Sequence, residues 1–489
     1  MRQLYKNVAI LGSSSVITLL LGLASSKVWA LLGGPIALGQ LALSLNLMLL
    51  GSMVFSFGLN TALVRFGSAS LESENDERFA LLRNAAWFGQ LILCGFVLLI
   101  GFVFAKPIAQ FQFGSQQQAS SVVVIAIAVC FAMTGAMHIG VLNAHQRIGA
   151  LAKANVWVAL VSTCSGWVAL AALGVQGVVW GVLVGAISGW FAARLIAQRE
   201  LAASAVAPFL NFSFPNRQFL KIWPELRELL RFGAPYAISV LVGQAVQLLI
   251  PSFILAQMGQ ESVGYFRAAA TISMVYLGLL TNSMTQDYFP RLSGIINDRS
   301  QLKVLVNRQH ELTLVLAVPI IFVILWLTPV LVPTLYSKQF LPAQAVLEWQ
   351  LIGDILKFSS WVLAFVILVG AGSTWFFVTE LLAGTVSLFA YRWGFGLGLP
   401  GLGIAFLITY VVYWGIVATL VWRKFGFVLS ASNLIWLSLA LAAGLSLQAL
   451  PFIGVEKWRF WIAGFYSLMF SGLSALAFTR GWRTSAVTS

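Results

Sequence analysis

The sequence predicts an all-α polytopic membrane protein of about 14 transmembrane helices, built as two pseudo-symmetric six-helix lobes followed by two C-terminal helices. Three observations predict it. Apolar stretches long enough to cross a bilayer fill almost all of the 489 residues. Hydrophobic residues make up 60% of the chain and charged residues only 9%, against about 25% charge in soluble domains. Landmarks in the first six stretches recur in the next six at an offset near 225 residues.

A spanning helix needs about 20 mainly apolar residues. The stretches run over 8–30, 37–60, 85–105, 120–142, 155–173, 176–196, 232–256, 265–289, 312–335, 346–371, 374–394, 401–422, 432–451 and 460–480. A strand barrel would show ten-residue alternating segments instead. Arg2 and Lys6 precede the first stretch as in a signal peptide, but its apolar run continues to about Leu32 and further spans follow, so it reads as an uncleaved span. The fifth and sixth are split only by the turn Leu173-Gly174-Val175-Gln176-Gly177. Gly177, Gly181 and Gly185 then form a small-residue ridge suited to close helix packing. The domains follow: a first lobe over 1–196, a linker over 197–231, a second lobe over 232–424, and the last two helices over 425–489. The linker carries Pro208, Pro215 and Pro224. Its end, from Lys221 to Arg231, has the pattern of an interfacial amphipathic helix; a plain linker is the alternative.

The repeat is specific. Lys6 matches Arg231, Gly34 matches Gly259, Gly39 matches Gly264 and Arg83 matches Arg308, all at 225 residues. Arg65 matches Arg291 at 226, and Gly177 matches Gly401 at 224. Six spans per half is an even number, so the halves enter the membrane from the same side as parallel repeats, an arrangement of transporters. Lys and Arg set the orientation. Twenty-one fall on the side of the termini and five on the other, which puts both termini in the cytoplasm.

The net charge of +14 comes without any run of five or six basic residues, so it reads as topology and not as nucleic-acid binding. The cysteines, Cys94, Cys130 and Cys164, lie inside apolar stretches without metal or disulfide spacing and read as small buried hydrophobes. There is no phosphate-binding glycine loop, no metal cluster and no nucleophile motif, and the periplasmic loops are short. The chain reads as a non-enzyme without a cofactor, with H⁺ or Na⁺ as the coupling ion.

Charges inside spans are costly and should face water or a partner. Lys27 lies about 28 Å along the first span at 1.5 Å per residue, near its periplasmic end, and Arg267 lies at matching depth in the eighth. Turned inward, they form a cationic mouth suited to a phosphate or diphosphate; turned outward, they snorkel to the headgroups. Asp354 and Lys357 share a helical face in the tenth span, as a self-neutralising pair or as one that opens to an ion or anionic substrate. Glu380 lies about 9 Å inside the eleventh span. Asp354 and Glu380 are the first candidates for ion coupling. Asp287 is a third, although a local ion pair with Arg291 is the preferred reading there. Asn60, Gln244 and Gln247 suit a sugar-binding lining or helix–helix hydrogen bonds. His138, His145 and His310 show no ligand spacing.

Several stretches carry a family resemblance: Ser26-Lys27-Val28-Trp29 with Gly33-Gly34-Pro35-Ile36-Ala37-Leu38-Gly39; Phe57-Gly58-Leu59-Asn60 with Arg65; Ser273-Met274-Val275-Tyr276-Leu277; Tyr288-Phe289-Pro290-Arg291-Leu292-Ser293; and Trp349-Gln350-Leu351-Ile352-Gly353-Asp354-Ile355-Leu356-Lys357. Over about residues 1–425 the chain resembles the Wzx-type flippases of O-antigen and enterobacterial common antigen (lipid III), polysaccharide biosynthesis proteins of the MATE-like multidrug/oligosaccharidyl-lipid/polysaccharide exporter superfamily. The resemblance implies a central cavity lined by spans one, two, seven and eight. It implies an undecaprenyl-pyrophosphate-linked oligosaccharide as cargo, an ion gradient as drive, and a place in the bacterial inner membrane. It maps Lys27, Asn60, Arg65, Asp354, Lys357 and Glu380 onto functional positions; Arg267 and Asp287 depart from it. Polysaccharide polymerase and chain-length proteins are partners by analogy, beside membrane lipids. A multidrug exporter, a peptidoglycan-precursor flippase and a membrane glycan polymerase or ligase are the alternatives.

Overall fold

The computed structural model describes residues 2–201, 216–283 and 288–487, though not every side chain within them. Among the described residues there is no strand, and nine helical stretches are long and apolar enough to cross a bilayer. Two of these, Gly149–Glu200 and Thr374–Phe425, are 52 residues long and each holds two helices. The chain is a multi-pass membrane protein. It divides into two compact units, Met1–Gly264 and Tyr265–Ser489.

Unit 1 begins with α1 (Arg2–Phe55), which carries the first two predicted spans. Gly34 at φ 65° and Pro35 after it break the helix between them. Glycine enters the left-handed region without a Cβ clash, and proline cannot donate to the preceding turn. The repeat is visible here: Gly259, the counterpart of Gly34, also has a left-handed φ of 83°. Gly39 and Gly264 pack reciprocally. A Cβ on Gly39 would lie 2.4 Å from the Gln260 carbonyl, and one on Gly264 would lie 2.1 Å from that of Pro35.

The unit continues through α2 (Leu59–Glu72), α3 (Asp76–Val103), α4 (Ala105–Phe113), α5 (Ala119–Ala144), α6 (Ile148–Leu173), α7 (Gly177–Glu200) and α8 (Asn216–Met258). The glycine ridge on α7 is its contact with α6: Gly181 faces Gly166 and Gly185 faces the Ser162 carbonyl. An apolar cavity of about 420 Å³ opens among α1, α5, α6 and α7, bordered by Trp29, Phe131, Ser162 and Trp190. Cys94 and Cys130 point their thiols at each other's carbonyl oxygens. Cys164 departs from the expected burial and is exposed.

The predicted interfacial helix is the opening of α8 and runs without a break into the seventh span. Its amphipathicity has a clear cause. Ile222, Leu226 and Leu229 are buried among Leu59, Leu63, Leu82 and Ala86. Arg78, at the start of α3, donates to Glu228 at 2.9 Å and lies 3.9 Å from Glu225. Burial pushes the Glu225 carboxyl above its ordinary range, and Arg78 pulls it back. Trp223, Arg227 and Arg231 remain on the exposed face. Thus α8, which the repeat assigns to the second lobe, packs within unit 1.

Unit 2 holds α9 (Gln260–Ser283) from Tyr265 onward, then α10 (Phe289–Ile295), α11 (Arg299–Leu335), α12 (Ala343–Val366), α13 (Ser373–Gly394), α14 (Gly398–Phe425), α15 (Ala431–Ala449) and α16 (Arg459–Val487). Helix α12 is buried along nearly its whole length. It packs closely on α14: a Cβ on Gly403 would come within 2.5 Å of Trp349 and the Val346 carbonyl. The last two helices belong to this unit. Arg459 of α16 pairs with Glu348 of α12, Phe470 stacks on Phe322 of α11 at 4.6 Å, and Asn433 of α15 donates to the Asn307 carbonyl at 2.9 Å.

Candidate functional site

A buried ionisable group in a membrane protein must find a partner or water. Unit 2 meets this demand with a polar seam through its helices. Asp354 and Lys357 lie one turn apart on α12, as their spacing predicts. Different neighbours satisfy them. Asp354 is wholly buried, and its Oδ2 accepts a hydrogen bond from the Ser273 hydroxyl of α9 at 2.5 Å. The Lys357 ammonium sits among three rings, 5.1 Å from the centroid of Trp361, 5.2 Å from Phe406 and 5.4 Å from Tyr410. Ring faces carry negative charge, so an aromatic cage holds a cation without an anion in contact. The carboxylate stays within electrostatic reach of the ammonium.

The seam continues on α14, where Tyr410, Tyr413 and Trp414 share one face at helical spacing. The rings of Tyr410 and Tyr413 meet edge to face at 6.2 Å. Tyr413 donates its hydroxyl to Glu380 Oε1 of α13 at 2.6 Å. Trp414 Nε1 donates to Ser359 Oγ at 2.7 Å, and the same oxygen lies 2.6 Å from His310 Nε2 of α11. The other ring nitrogen of His310 finds no hydrogen-bond partner among the described residues. One carboxylate bonded to serine, one bonded to tyrosine, a caged ammonium and a buried imidazole therefore lie along α12 and its neighbours.

The remaining predicted residues lie elsewhere. Lys27 is exposed on α1 of unit 1, and Arg267 is half-buried on α9 of unit 2. Arg65 is exposed on α2, with its guanidinium 4.3 Å from the Phe232 centroid. Asn60 has a buried Oδ1 that meets no donor among the described residues and lodges against Gly140, where a Cβ would lie 1.8 Å away. Gln244 is exposed on α8. The Gln247 side chain and Asp287 lie outside the described residues. Among the described residues no three His, Cys, Asp or Glu side chains cluster to hold a metal.

Sequence reasoning did not assign Ser273, Tyr413 or the His310–Ser359–Trp414 chain. The i, i+3, i+4 spacing of Tyr410, Tyr413 and Trp414 was the available signal. Ser273 gave none, because a lone hydroxyl in an apolar helix bonds its own backbone by default.

Comparison with known proteins is consistent across sequence and fold. The family model described as "Polysaccharide biosynthesis protein" matches residues 28–345. The Lipid III flippase of Escherichia coli (strain K12) is 21% identical over 424 residues, covering 84% of this chain and 97% of the relative. Among solved structures, Lipid II flippase MurJ in an inward closed conformation superposes with a TM-score of 0.72 at 17% identity, over 97% of this chain and 99% of that one. An inward-facing multidrug resistance MATE family transporter of the MOP superfamily gives 0.64 at 14% identity, over 88% and 96%.

Proposed function

Because the chain belongs to the polysaccharide biosynthesis protein family, we propose that it moves an undecaprenyl-diphosphate-linked oligosaccharide, such as an O-antigen repeat unit, from the cytoplasmic to the periplasmic leaflet of a bacterial inner membrane. The observation that carries this reading is the match to the E. coli Lipid III flippase over nearly that protein's whole length. The physical problem is a polar glycan that hydrocarbon rejects. A wet chamber that opens first inward and then outward solves it, with the polyprenyl tail left in lipid. The protein then makes and breaks no bond.

In this reading Lys27, Arg65 and Arg267 meet the diphosphate, since Arg offers a fork of donors and Lys a point charge. Asn60, Gln244 and Gln247 contact sugar hydroxyls. Asp354 and Glu380, with Asp287 as a third acid, couple transport to H⁺ or Na⁺. Lys357 joins Asp354 in coupling before it meets substrate, because its ammonium is held in the aromatic cage. A bound proton or cation on Asp354 would compete with the Ser273 hydroxyl and loosen α9 from α12.

The test is complementation of flippase-deficient strains that each accumulate one lipid-linked glycan on the cytoplasmic side. Rescue of surface polysaccharide is expected, and Lys27→Ala should abolish it with the protein still in the membrane. No rescue in any such strain, despite normal membrane levels, would reject the function. Full rescue by Lys27→Ala would reject only the role of that residue.

A further inference from the structure

The opening of α8, from Ile222 to Arg231, sorts its side chains onto three faces. Ile222, Leu226 and Leu229 turn inward and are buried in the core of unit 1. Glu225 and Glu228 turn to Arg78, whose guanidinium holds both carboxylates. Trp223, Arg227 and Arg231, at i, i+4 and i+8, make the third face and are exposed. Trp223 is 60% exposed. Among the described residues, neither guanidinium of this face meets a carboxylate and the indole meets no other ring. A hollow of about 620 Å³ runs along it, bordered by Trp223, Leu226, Arg227, Leu230 and Arg231, and no acid among the described residues lines it.

We infer that this third face is a docking surface for anionic phospholipid in the leaflet beside the linker, with lipid phosphate against Arg227 and Arg231 and the Trp223 ring at the level of the head groups. The sequence pattern of an interfacial helix puts lipid under the apolar face. The fold reverses this, because Leu59, Leu63, Leu82 and Ala86 already cover that face. Position favours lipid as the occupant of the opposite one. The helix runs without a break into the seventh span, whose apolar stretch opens at residue 232. The stripe therefore ends where the span begins and reaches about 12 Å from it at 1.5 Å per residue. Charge selects an anionic lipid: guanidiniums at a bilayer surface attract acidic head groups, and phosphate oxygens accept charge-assisted hydrogen bonds from them. The indole favours head groups over bulk water, since its ring is apolar, its N–H is a donor, and the membrane boundary serves both. Such a surface goes beyond the proposed transport and needs no cargo.

Full-length protein is reconstituted in phosphatidylcholine vesicles that contain rising fractions of phosphatidylglycerol brominated near the head group or, separately, of phosphatidylcholine brominated in the same way. Bromine quenches tryptophan fluorescence on contact, and the difference between the wild type and Trp223→Phe isolates the signal of Trp223. Quenching should set in at a lower fraction of phosphatidylglycerol than of phosphatidylcholine. Arg227→Ala and Arg231→Ala should each raise the half-quenching fraction of phosphatidylglycerol about fivefold, the order for one basic side chain at an anionic surface, and leave that of phosphatidylcholine unchanged. Arg227→Lys should keep the preference, because the attraction needs the charge. Raising the ionic strength to about 1 M, where the Debye length is about 3 Å, should remove it. If the double alanine variant melts lower than the wild type, Arg227→Gln with Arg231→Gln takes its place. Equal quenching by the two lipids in the wild type would overturn the surface, as would a phosphatidylglycerol preference that survives loss of both arginines. No quenching by either lipid would also overturn it, and would leave the stripe in water, open to an acidic protein partner. Failure of complementation would leave the surface standing, because the quenching assay contains no cargo.

Discussion

The two units divide the chemistry unequally, although landmarks of the first half of the sequence recur in the second. Gly34 and its counterpart Gly259 both have a positive φ, and Gly39 and Gly264 press into each other's neighbourhood within unit 1. Yet among the described residues the buried carboxylates, Glu348 and Asp354, belong to unit 2. Some 224–225 residues before Asp354, Lys357 and Glu380 stand Val129, Cys130, Ala132, Met133, Val156 and, beside it, Asn155. The buried polar groups of unit 1 are mostly neutral, such as Gln90 and Gln112, with Arg83 the exception. At Gly39 and Gly264 close approach dictates the backbone, because a Cβ there would collide. A charge in the hydrocarbon region carries a large desolvation cost and persists where it has a task. On this ground the proposed ion coupling is assigned to unit 2.

The largest effect that tests this should come from Asp354. Asp354→Asn keeps the volume and removes the charge that Ser273 serves. Transport in proteoliposomes should fall at least tenfold and lose its response to an imposed H⁺ or Na⁺ gradient, with folding intact by melting. An unchanged ion response would end the assignment of coupling to unit 2. Asp354→Leu should in addition destabilise the protein by about 1–3 kcal/mol, because the Ser273 hydroxyl is left buried without its acceptor.

Much of this was legible in the sequence, and what was not has a physical reason. The apolar helical stretches and the shared helical face of Asp354 and Lys357 followed from apolar length and helical spacing, which are local. Glu380 stood out because an acid inside an apolar run is rare. Its partner Tyr413 did not, since a tyrosine in a span is as often a membrane anchor. The cage around Lys357 draws Trp361 from its own helix but Phe406 and Tyr410 from α14, about fifty residues away. Helical periodicity cannot pair faces on different helices. The packing of α8 was hidden for a related reason: Leu226 and Leu229 mark an apolar face, and only the fold says that Leu59 and Leu82 cover it.

The two buried histidines sharpen the comparison at intermediate size. His138 of unit 1 sits beside Trp87, with ring centroids 5.0 Å apart, and its Nε2 meets no hydrogen-bond partner among the described residues. His310 of unit 2 is bonded through Ser359 to Trp414. Replacing each by phenylalanine separates packing from polarity. His138→Phe should cost under about 1.5 kcal/mol as a near volume-conserving change and leave transport within twofold. His310→Phe strips Ser359 of a buried partner, at about 1–3 kcal/mol, and should slow ion-driven transport severalfold. Equal effects in both would show that the hydrogen-bonded chain in unit 2 is only packing.

The smallest expected effect lies at the polar clasp of unit 1. Arg78 joins the start of α3 to Glu225 and Glu228 at the opening of α8, and all three side chains remain partly exposed. Solvent screening limits such pairs to about 0.2–1 kcal/mol, so Arg78→Ala should shift the melting temperature little. The greater part of the docking energy belongs to Ile222, Leu226 and Leu229, and Leu226→Ala should cost about 2–5 kcal/mol if they carry it. High salt distinguishes the two contributions: it should erase the Arg78→Ala difference and leave the Leu226→Ala difference intact. If Arg78→Ala instead proved the more damaging change, the linker helix would be held by charge, and the contrast between apolar docking in unit 1 and buried charges in unit 2 would no longer hold.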